Sequence, residues 1–321
     1  MSKDNTLPLF SIIIPLYNKA PYIKRAIDSV LSQTVQNFEL IIVGGKSTDG
    51  SEDIVLSYHD SRIRLIQESG IGVSAARNQG VSEAKADLVA FLDADDEWPE
   101  HYIEMIVQLR TEYPDAGIYA TNYSFGSDKM VEYNSQYLDS DYHGELDYFY
   151  HCAVEERAPF ATSSVTIPKR IYNTVGGFDI RHSYNEDTEL FGKIALQYPV
   201  VIDTRIRVYY HTEDPSSLSK HPPRNYTHPF LEVIANISES DCTINYSSLQ
   251  LYADSIKLES AMLNLWNGDD AMYCYHMKTL RVHKNHRKKI ILLKLYHMIP
   301  VVIRSNKRFK DLVYSLRQIM R

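Results

Sequence analysis

The chain has 321 residues, 44% of them hydrophobic and 23% charged, with a formal net charge of −7. That length can bury one large core or two smaller ones, and the ordinary globular composition indicates no function by itself. The three widely spaced cysteines include no C-x-x-C pair and indicate neither a disulfide framework nor a zinc site, so a reducing cytoplasm fits best. The polar N-terminus lacks the layout of a signal peptide, and no apolar run reaches the roughly 18 residues of a membrane-spanning helix.

Strand and helix patterns alternate through the first ~120 residues, as they do in a doubly wound sheet. Apolar runs suited to strands occur at residues 10–14, 39–43, 63–66 and 88–92. Helical spacing of apolar residues follows these strands at residues 21–31, 51–55, 74–84 and 99–109. We therefore expect an α/β sheet with flanking helices in this part of the chain.

The rest of the chain has a weaker pattern. Residues 121–185 are rich in Tyr and Asp, with a turn predicted at Gly176 and Gly177 and a strand at residues 164–167. A helix at residues 186–197 and one or two strands at 200–210 follow, and helical patterns prevail beyond residue 219. We predict an α/β domain over residues 1–220 and a helical C-terminal region over residues 221–321.

The C-terminal region ends in a basic tail. Residues 281–321 contain 12 Lys or Arg and one acidic residue, a balance of +11, so residues 1–280 carry −18. An apolar segment at residues 290–303 is too short to span a membrane. Two interpretations stay open: the segment lies in the plane of an anionic membrane surface, or it forms helices that pack on the body of the protein with their basic face in water.

Polar or flexible residues follow three of the predicted strands. Residues 15–18 come after the first strand, residues 44–49 after the second, and the run from Asp93 to Asp96 after the fourth. Because ligands of open α/β sheets bind outside the carboxyl ends of the strands, these three segments are expected to form one site.

The run from Asp93 to Asp96 places three carboxylates within four residues, directly after a buried strand. Such carboxylates repel one another unless a counter-charge is present. A hard divalent cation, Mg²⁺ or Mn²⁺, accepts carboxylate oxygens and would bridge them to a diphosphate. The alternative is an acidic loop that caps the next helix, since acids are favoured at helix starts. The run alone leaves both interpretations open.

Six segments agree in order and separation with one known family. They are residues 11–18, 47–51, 72–80, 91–98 and 176–179 and the pair Glu186 and Asp187. Over these segments the chain resembles the family 2 glycosyltransferases, which are nucleotide-sugar enzymes of the GT-A fold. The resemblance implies a Rossmann-like mixed sheet flanked by helices. It also implies an inverting transfer of a sugar from a nucleotide sugar to a hydroxyl of a glycan or a lipid-linked acceptor.

The resemblance also implies donor-binding residues. Pro15 and Tyr17 lie in the segment that resembles the one next to the nucleotide base, and Arg77 resembles the basic residue that faces the donor nucleotide. Asp93 is similar to the acid that holds the ribose or supports the metal. Without the resemblance, Tyr17 reads as a packing residue and Arg77 as the partner of a surface acid.

The catalytic and metal-binding residues follow in the same way. Asp95 resembles the direct ligand of Mn²⁺ or Mg²⁺ on the diphosphate. Asp187 resembles the catalytic base, a role that suits a carboxylate because the acceptor hydroxyl must lose a proton; acids at a helix start also stabilise the helix dipole. His211 is a further candidate metal ligand, because imidazole binds such ions, and a structural or solvent-facing histidine is the alternative.

One position departs from the family pattern. Many members carry an acid directly after the second strand, and Gly44 stands there in this chain. A buried uracil N–H without its acceptor would cost on the order of 1–3 kcal/mol. Three explanations stay open: backbone carbonyls hold the donor, the base preference differs, or donor binding is weak. Lys46 either meets a phosphate or points to water. A UDP-sugar stays the favoured donor.

Other functions compete with this interpretation. Gly44 motivates a non-catalytic nucleotide-sugar-binding protein. A nucleotidyltransferase would carry a Gly-rich and basic loop after the first strand, which residues 15–19 are not. Nucleic-acid binding is not expected, because the body of the protein is acidic and the tail has no recognised module. We expect a cytoplasmic protein, with peripheral contact to the inner face of the cell membrane as an open alternative.

Overall fold

The computed structural model describes residues 7–127, 129–155, 157–214, 223–235, 237–241, 244–281 and 286–298. Within these ranges nine strands form one sheet in the order β3-β2-β1-β4-β8-β5-β9-β7, and β6 pairs with β5 outside that path. The strands are β1 (Phe10–Pro15), β2 (Phe38–Gly44), β3 (Ile63–Gln67), β4 (Leu88–Phe91), β5 (Ile118–Gly126), β6 (Met130–Glu132), β7 (His143–Leu146), β8 (Val165–Pro168) and β9 (Val200–His211).

Helices cover both faces of this sheet. They are α1 (Ile23–Leu31), α2 (Ser51–Leu56), α3 (Val73–Glu83), α4 (Tyr102–Glu112), α5 (Tyr148–Glu155), α6 (Lys169–Val175), α7 (Glu186–Ala195), α8 (Phe230–Ile234), α9 (Tyr246–Asn267), α10 (Asp270–Lys278) and α11 (Arg287–His297). The predicted α/β class, a mixed sheet flanked by helices with a helical C-terminal region, is confirmed.

The sheet has a parallel half and a mixed half. Strands β1 to β4 all run parallel, with β2 and β4 on either side of β1 and β3 beside β2. Strand β8 is antiparallel to β4 and β5, while β9 is parallel to β5 and antiparallel to β7. The carboxyl ends of β1 to β4 therefore meet at one edge, which is where ligands of open α/β sheets bind.

Alternating side chains of the central strands divide the core into two layers. Ile13, Ile41 and Phe91 are fully buried on the face that is covered by α3, α5, α6 and α7. Ile12 and Ile42 are fully buried on the opposite face, beneath α1 and α4. Strands that are buried on both faces must be apolar throughout, which explains the continuous apolar runs of the sequence.

The middle of the chain is more ordered than its sequence pattern indicated. Strands β5, β6 and β7 and helices α5 and α6 were not predicted, whereas β8 lies where a strand was expected. Strand β9 is a single strand whose pairing with β5 shifts between Thr121 and Asn122 and again between Asn122 and Ser124. Of the one or two strands predicted at residues 200–210, the structure has one.

The C-terminal helices extend the core on one side. Phe230 of α8 and Tyr252 of α9 belong to the same buried cluster as Phe149 and Phe191. None of the described helices combines the length and apolarity needed to cross a membrane. The predicted domain boundary near residue 220 and most of the predicted basic tail lie outside the described residues.

Candidate active site

A cleft of about 1040 Å³ lies at the carboxyl ends of the parallel strands. It is lined by Pro15, Leu16, Tyr17, Asn18, Lys19, Lys46, Glu68, Ile71, Gly72, Val73, Ala76, Arg77, Asp93, Ala94, Asp95, Tyr123, Ala161, Thr162, Ser183, Tyr184, Asn185, Glu186, Asp187 and Tyr210. Six of the seven predicted site residues are in this set. His211, the seventh, follows the lining residue Tyr210 without lining the cleft itself.

The segment after β1 is fastened to the segment after β2. Asn18 adopts a left-handed backbone with φ of 49°, a conformation that Asn tolerates better than most residues. Its N–H donates to Ser47 Oγ at 3.0 Å, and its side-chain oxygen accepts from the Thr48 N–H at 2.8 Å. This turn leaves the ring of Tyr17 62% exposed in the cleft, where a flat partner can stack on it.

Arg77 of α3 forms a buried ion-pair centre in the cleft wall. Its guanidinium donates to Asp93 Oδ1 at 2.7 Å and to Glu186 Oε1 at 3.1 Å, and its side chain is 4% exposed. Burial disfavours the charged form, but Asp93 and Glu186 outweigh burial, so the pKa of Arg77 is raised. Arg77 therefore joins the segment after β4 to the start of α7, besides lining the cleft.

The acidic run after β4 divides into two roles. Asp93 and Asp95 line the cleft, whereas Asp96 is buried with 1% exposure. Asp96 accepts hydrogen bonds from the Ser163 hydroxyl at 2.5 Å and from the His211 N–H at 3.0 Å. Burial, reinforced by the charges of Asp93 and Asp95, raises the pKa of Asp96 well above its usual range. Asp96 thus fixes the loop and is not available to a ligand in the cleft.

Asp95 is held by a lysine that the sequence analysis missed. Lys19 Nζ donates to Asp95 Oδ2 at 2.5 Å and also pairs with Asp214, while Arg25 donates to the Asp95 carbonyl oxygen at 2.5 Å. Burial and the charge of Asp93 raise the pKa of Asp95, and Lys19 opposes that rise. The only signal in the sequence was position: Lys19 directly follows the segment from Pro15 to Asn18, and Asp214 lies three residues after His211.

The residues near Asp95 suit a hard divalent cation. Asp93 and Asp95 present carboxylate oxygens to the cleft, which are the ligands that Mg²⁺ and Mn²⁺ prefer. The ring of His211 is 10% exposed, and neither of its nitrogens has a hydrogen-bond partner among the described residues, although Glu97 Oε1 lies 3.5 Å from Nε2. Among the described residues, the ligand atoms of Asp93, Asp95 and His211 do not all lie within 4.8 Å of one another. Asp93 and Asp95 therefore fit the predicted ion, and the role of His211 as a ligand stays a prediction.

Asp187 lies in the first turn of α7, with both carboxylate oxygens oriented. Oδ2 accepts from the Thr162 hydroxyl at 2.9 Å, and Oδ1 accepts from the Thr188 N–H at 2.7 Å. Burial first, and then the charge of Asp187, raise the pKa of the neighbouring Glu186 against the opposing effect of Arg77. Each Asp187 oxygen keeps a free lone pair, because a carboxylate oxygen accepts more than one hydrogen bond.

The chain is similar to known glycosyltransferases. A family model described as glycosyl transferase family 2 matches residues 11–160. The chain is 30% identical over 220 residues to an uncharacterized glycosyltransferase of Rickettsia typhi, which covers 66% of this chain and 67% of that protein. It is 32% identical over 139 residues to the glycosyltransferase GlyA of Streptococcus pneumoniae serotype 4. The matched segment covers 43% of this chain but only 20% of GlyA.

Solved structures agree with the fold. S. aureus TarS in complex with UDP-GlcNAc superposes with a TM-score of 0.64 at 16% identity, covering 94% of this chain and 83% of TarS. The mannosyltransferase PcManGT of Pyrobaculum calidifontis, in complex with GDP-Man and Mn²⁺, superposes with a TM-score of 0.56 at 17% identity, covering 92% of this chain and 86% of that one. At these identities the likeness shows the fold alone, which is the GT-A fold.

Proposed function

The chain belongs to glycosyltransferase family 2, and on that premise we propose that it transfers a sugar from a nucleotide sugar to an acceptor hydroxyl with inversion at the anomeric carbon. The observation that carries the proposal is the single cleft that Asp95, Arg77 and Asp187 all line. A cation-binding carboxylate and an oriented carboxylate base in one cleft are the two groups that a direct displacement needs.

Asp187 is the proposed base. The acceptor oxygen attacks the anomeric carbon as its proton passes to a free lone pair of the Asp187 carboxylate, and the bond from that carbon to the diphosphate oxygen breaks. The hydrogen bonds from Thr162 and from the Thr188 N–H hold both carboxylate oxygens in place before the acceptor arrives. Such preorganisation lowers the barrier because no reorientation is needed during the reaction.

Asp95, with Asp93 and His211, would hold Mn²⁺ or Mg²⁺, which would offset the charge that develops on the departing diphosphate. The mannosyltransferase structure with GDP-Man and Mn²⁺ supports the use of a divalent ion in this fold. Lys19, whose ammonium group bonds Asp95 Oδ2, would add a second positive charge beside the ion.

The donor and the acceptor are proposed as classes. A UDP-sugar is favoured by the TarS complex, and the GDP-Man complex of the second structure keeps the base open. The acceptor is a hydroxyl of a glycan or of a lipid-linked sugar. We propose that the reaction takes place at the inner face of the cell membrane, because α11 exposes Ile291, Leu292 and Leu295 and also carries Lys288 and Lys294.

A nucleotide-sugar panel tests the function. The purified protein is incubated with Mn²⁺ and each of several nucleotide sugars, and release of the nucleoside diphosphate is measured with and without a glycan acceptor mixture. We expect hydrolysis or transfer with at least one donor, and its loss in EDTA. A folded protein that binds a nucleotide sugar but turns over none, and binds equally well as the Asp187→Asn variant, would instead be a non-catalytic binding protein.

A further inference from the structure

The end of β2 offers no carboxylate to a nucleotide base. Gly44 has no side chain, and a Cβ added there would lie 3.1 Å from both Leu16 Cβ and the Leu16 carbonyl oxygen. Glu52 is close, but its Oε1 already accepts from the Gly45 and Ser47 N–H groups at 2.7 and 3.0 Å, and Glu52 does not line the cleft. An acceptor for a base must therefore come from another element.

The neighbouring strand β3 supplies one. Gly44 pairs with Gln67, the last residue of β3, and the Glu68 N–H donates to the Gly44 carbonyl oxygen at 2.6 Å. The Gln67 amide covers Gly45 and donates to the Gly45 carbonyl oxygen at 3.1 Å. Glu68 is thus the first residue after β3, and its backbone lies beside Gly44. The Glu68 side chain lines the cleft.

The carboxylate of Glu68 has a cationic neighbour in the cleft. Lys46 Nζ lies 3.4 Å from Glu68 Oε2 and also donates to the Gly70 carbonyl oxygen. The Glu68 side chain is 9% exposed and that of Lys46 is 44% exposed. A hydrogen-bond acceptor, Glu68, therefore lies next to a hydrogen-bond donor, Lys46. Burial restricts the Glu68 side chain, whereas the more exposed Lys46 side chain can change its conformation.

Two exposed apolar side chains line the same cleft. Tyr17 is 62% exposed and Ile71 is 90% exposed, although both are large hydrophobic residues. Ile71 lies three residues after Glu68, and Tyr17 follows β1, the strand next to β2. Exposed apolar surface of this kind suits a flat ring. The faces of the ring would pack against Tyr17 and Ile71, and its edge would contact Glu68 and Lys46.

Building on the proposed function, we propose that Glu68 and Lys46 read the donor base and select bases with a ring N–H beside a carbonyl. Uracil and guanine present such an N–H to the Glu68 carboxylate and an adjacent carbonyl oxygen to Lys46. With the ring held by Tyr17 and Ile71 so that this ring nitrogen faces Glu68, cytosine and adenine would present a lone pair to the carboxylate. Bringing their amino group to Glu68 instead would shift the ring out of its stacked position. A buried polar group left unpaired in this way costs roughly ten- to hundredfold in affinity.

Binding of UDP, GDP, CDP and ADP in the presence of Mn²⁺, measured by calorimetry, tests the inference. The wild type should bind UDP or GDP at least about tenfold more tightly than CDP and ADP. Glu68→Gln should narrow or reverse that ratio, because the amide can turn its NH₂ group toward the lone pair of cytosine or adenine. Glu132→Gln, which changes an exposed acid outside the cleft, serves as the matched control and should keep the wild-type ratio.

The possible results of this experiment distinguish a failure of base selection by Glu68 from a failure of the proposed transferase function. Turnover with an unchanged base ratio in Glu68→Gln would overturn the inference and leave the proposed function standing. An equal loss for all four nucleotides in that variant would also overturn it, since that is the mark of a merely structural residue. A wild type that binds no nucleotide would overturn both. The melting temperature without ligand, compared among the three proteins, shows whether each variant is folded.

Discussion

Arg77 holds two segments of the cleft wall together. It is the buried cation that joins Asp93 to Glu186, and removing it leaves two carboxylates in a poorly solvated place. We expect Arg77→Met to lower the free energy of unfolding by about 3–5 kcal/mol, the usual cost of breaking a buried ion pair from one side. Arg77→Lys should lose less, because it keeps the charge. Urea titrations of the three proteins measure both, and a loss below about 1 kcal/mol in the methionine variant would contradict the assignment.

Asp187 should matter for turnover and not for donor binding. Asp187→Asn keeps the size of the side chain and its hydrogen bond from Thr162, but it removes the proton acceptor. We expect kcat to fall by about 10²–10⁴, the range typical of a lost general base, with the donor Kd within about threefold of the wild type. Steady-state kinetics with calorimetry of donor binding test this.

A matched variant separates orientation from proton transfer. Thr162→Val removes the hydroxyl that positions Asp187 Oδ2 and leaves the carboxylate in place. Its kcat should fall less than that of Asp187→Asn. If Asp187→Asn kept more than about a tenth of the wild-type kcat, another group would have to be the base.

The residues that could be predicted were those inside local motifs. Tyr17, Asp93, Asp95 and Asp187 each lie in a segment whose pattern is visible in the sequence alone, and all four line the cleft. Lys19 could not be predicted, because its partners Asp95 and Asp214 are 76 and 195 residues away along the chain. Such pairs exist only after the sheet has brought the segments together. The roles given to these residues stay predictions.

The strands that were predicted have a strong apolar pattern, whereas the short strands β6 and β7 have a weak one. Strand β2 is buried along its whole length, so its apolar run is unambiguous. Strand β7 has one buried residue among four, and β6 has none. A strand at the sheet margin needs few apolar residues, so neither alternation nor an apolar run marks it.

The margin of the sheet carries a charge-dependent contact. His143 of β7 has Nδ1 2.7 Å from Asp203 Oδ2 and Nε2 2.8 Å from Glu112 Oε2. Burial lowers the pKa of His143, but the two carboxylates outweigh it, so the pKa is raised above 6.5. The protonated ring thus stabilises the folded chain. This contribution is complete below about pH 6.5 and is lost as the pH rises through the folded-state pKa.

The contact predicts that the loss of stability on replacing His143 depends on pH. His143→Gln should lower the free energy of unfolding more at about pH 6 than at about pH 9, because only the charged ring gains from both carboxylates. Urea titrations of the wild type and the variant at both pH values give the decrease in the free energy of unfolding at each pH. An equal decrease at both pH values would show that the ring contributes by packing alone. His59→Gln makes the same substitution at an exposed histidine outside this contact and serves as the control.

At the scale of the whole molecule, the C-terminal helices support the segment that carries the proposed base. The Asn185 amide donates to the Tyr226 hydroxyl at 2.6 Å, and the Thr188 hydroxyl lies 3.2 Å from His228 Nε2. Both contacts flank Asp187 in sequence. Phe230 packs on α7 at Gly192, where an added Cβ would come within 2.4 Å of the ring. The division of the chain at residue 220 stays a prediction, but these contacts make the two parts depend on one another.

Removing residues 221–321 should therefore cost both stability and activity. The truncated chain would lose Phe230, Leu249, Tyr252 and Ile256 from the buried cluster, and Phe149, whose ring contacts Phe230 and Tyr252, would be exposed to water. Each large buried aromatic side chain removed from a core costs about 3–5 kcal/mol, and a whole domain is stable by only about 5–15 kcal/mol. We expect residues 1–220 to be insoluble or to lack a cooperative thermal transition.

The full chain with Phe230→Ala should stay folded with a lower melting temperature and a lower kcat, because α7 loses its contact with the Phe230 ring. A truncated chain with a sharp transition and wild-type kcat would show instead that the sheet and its first seven helices suffice.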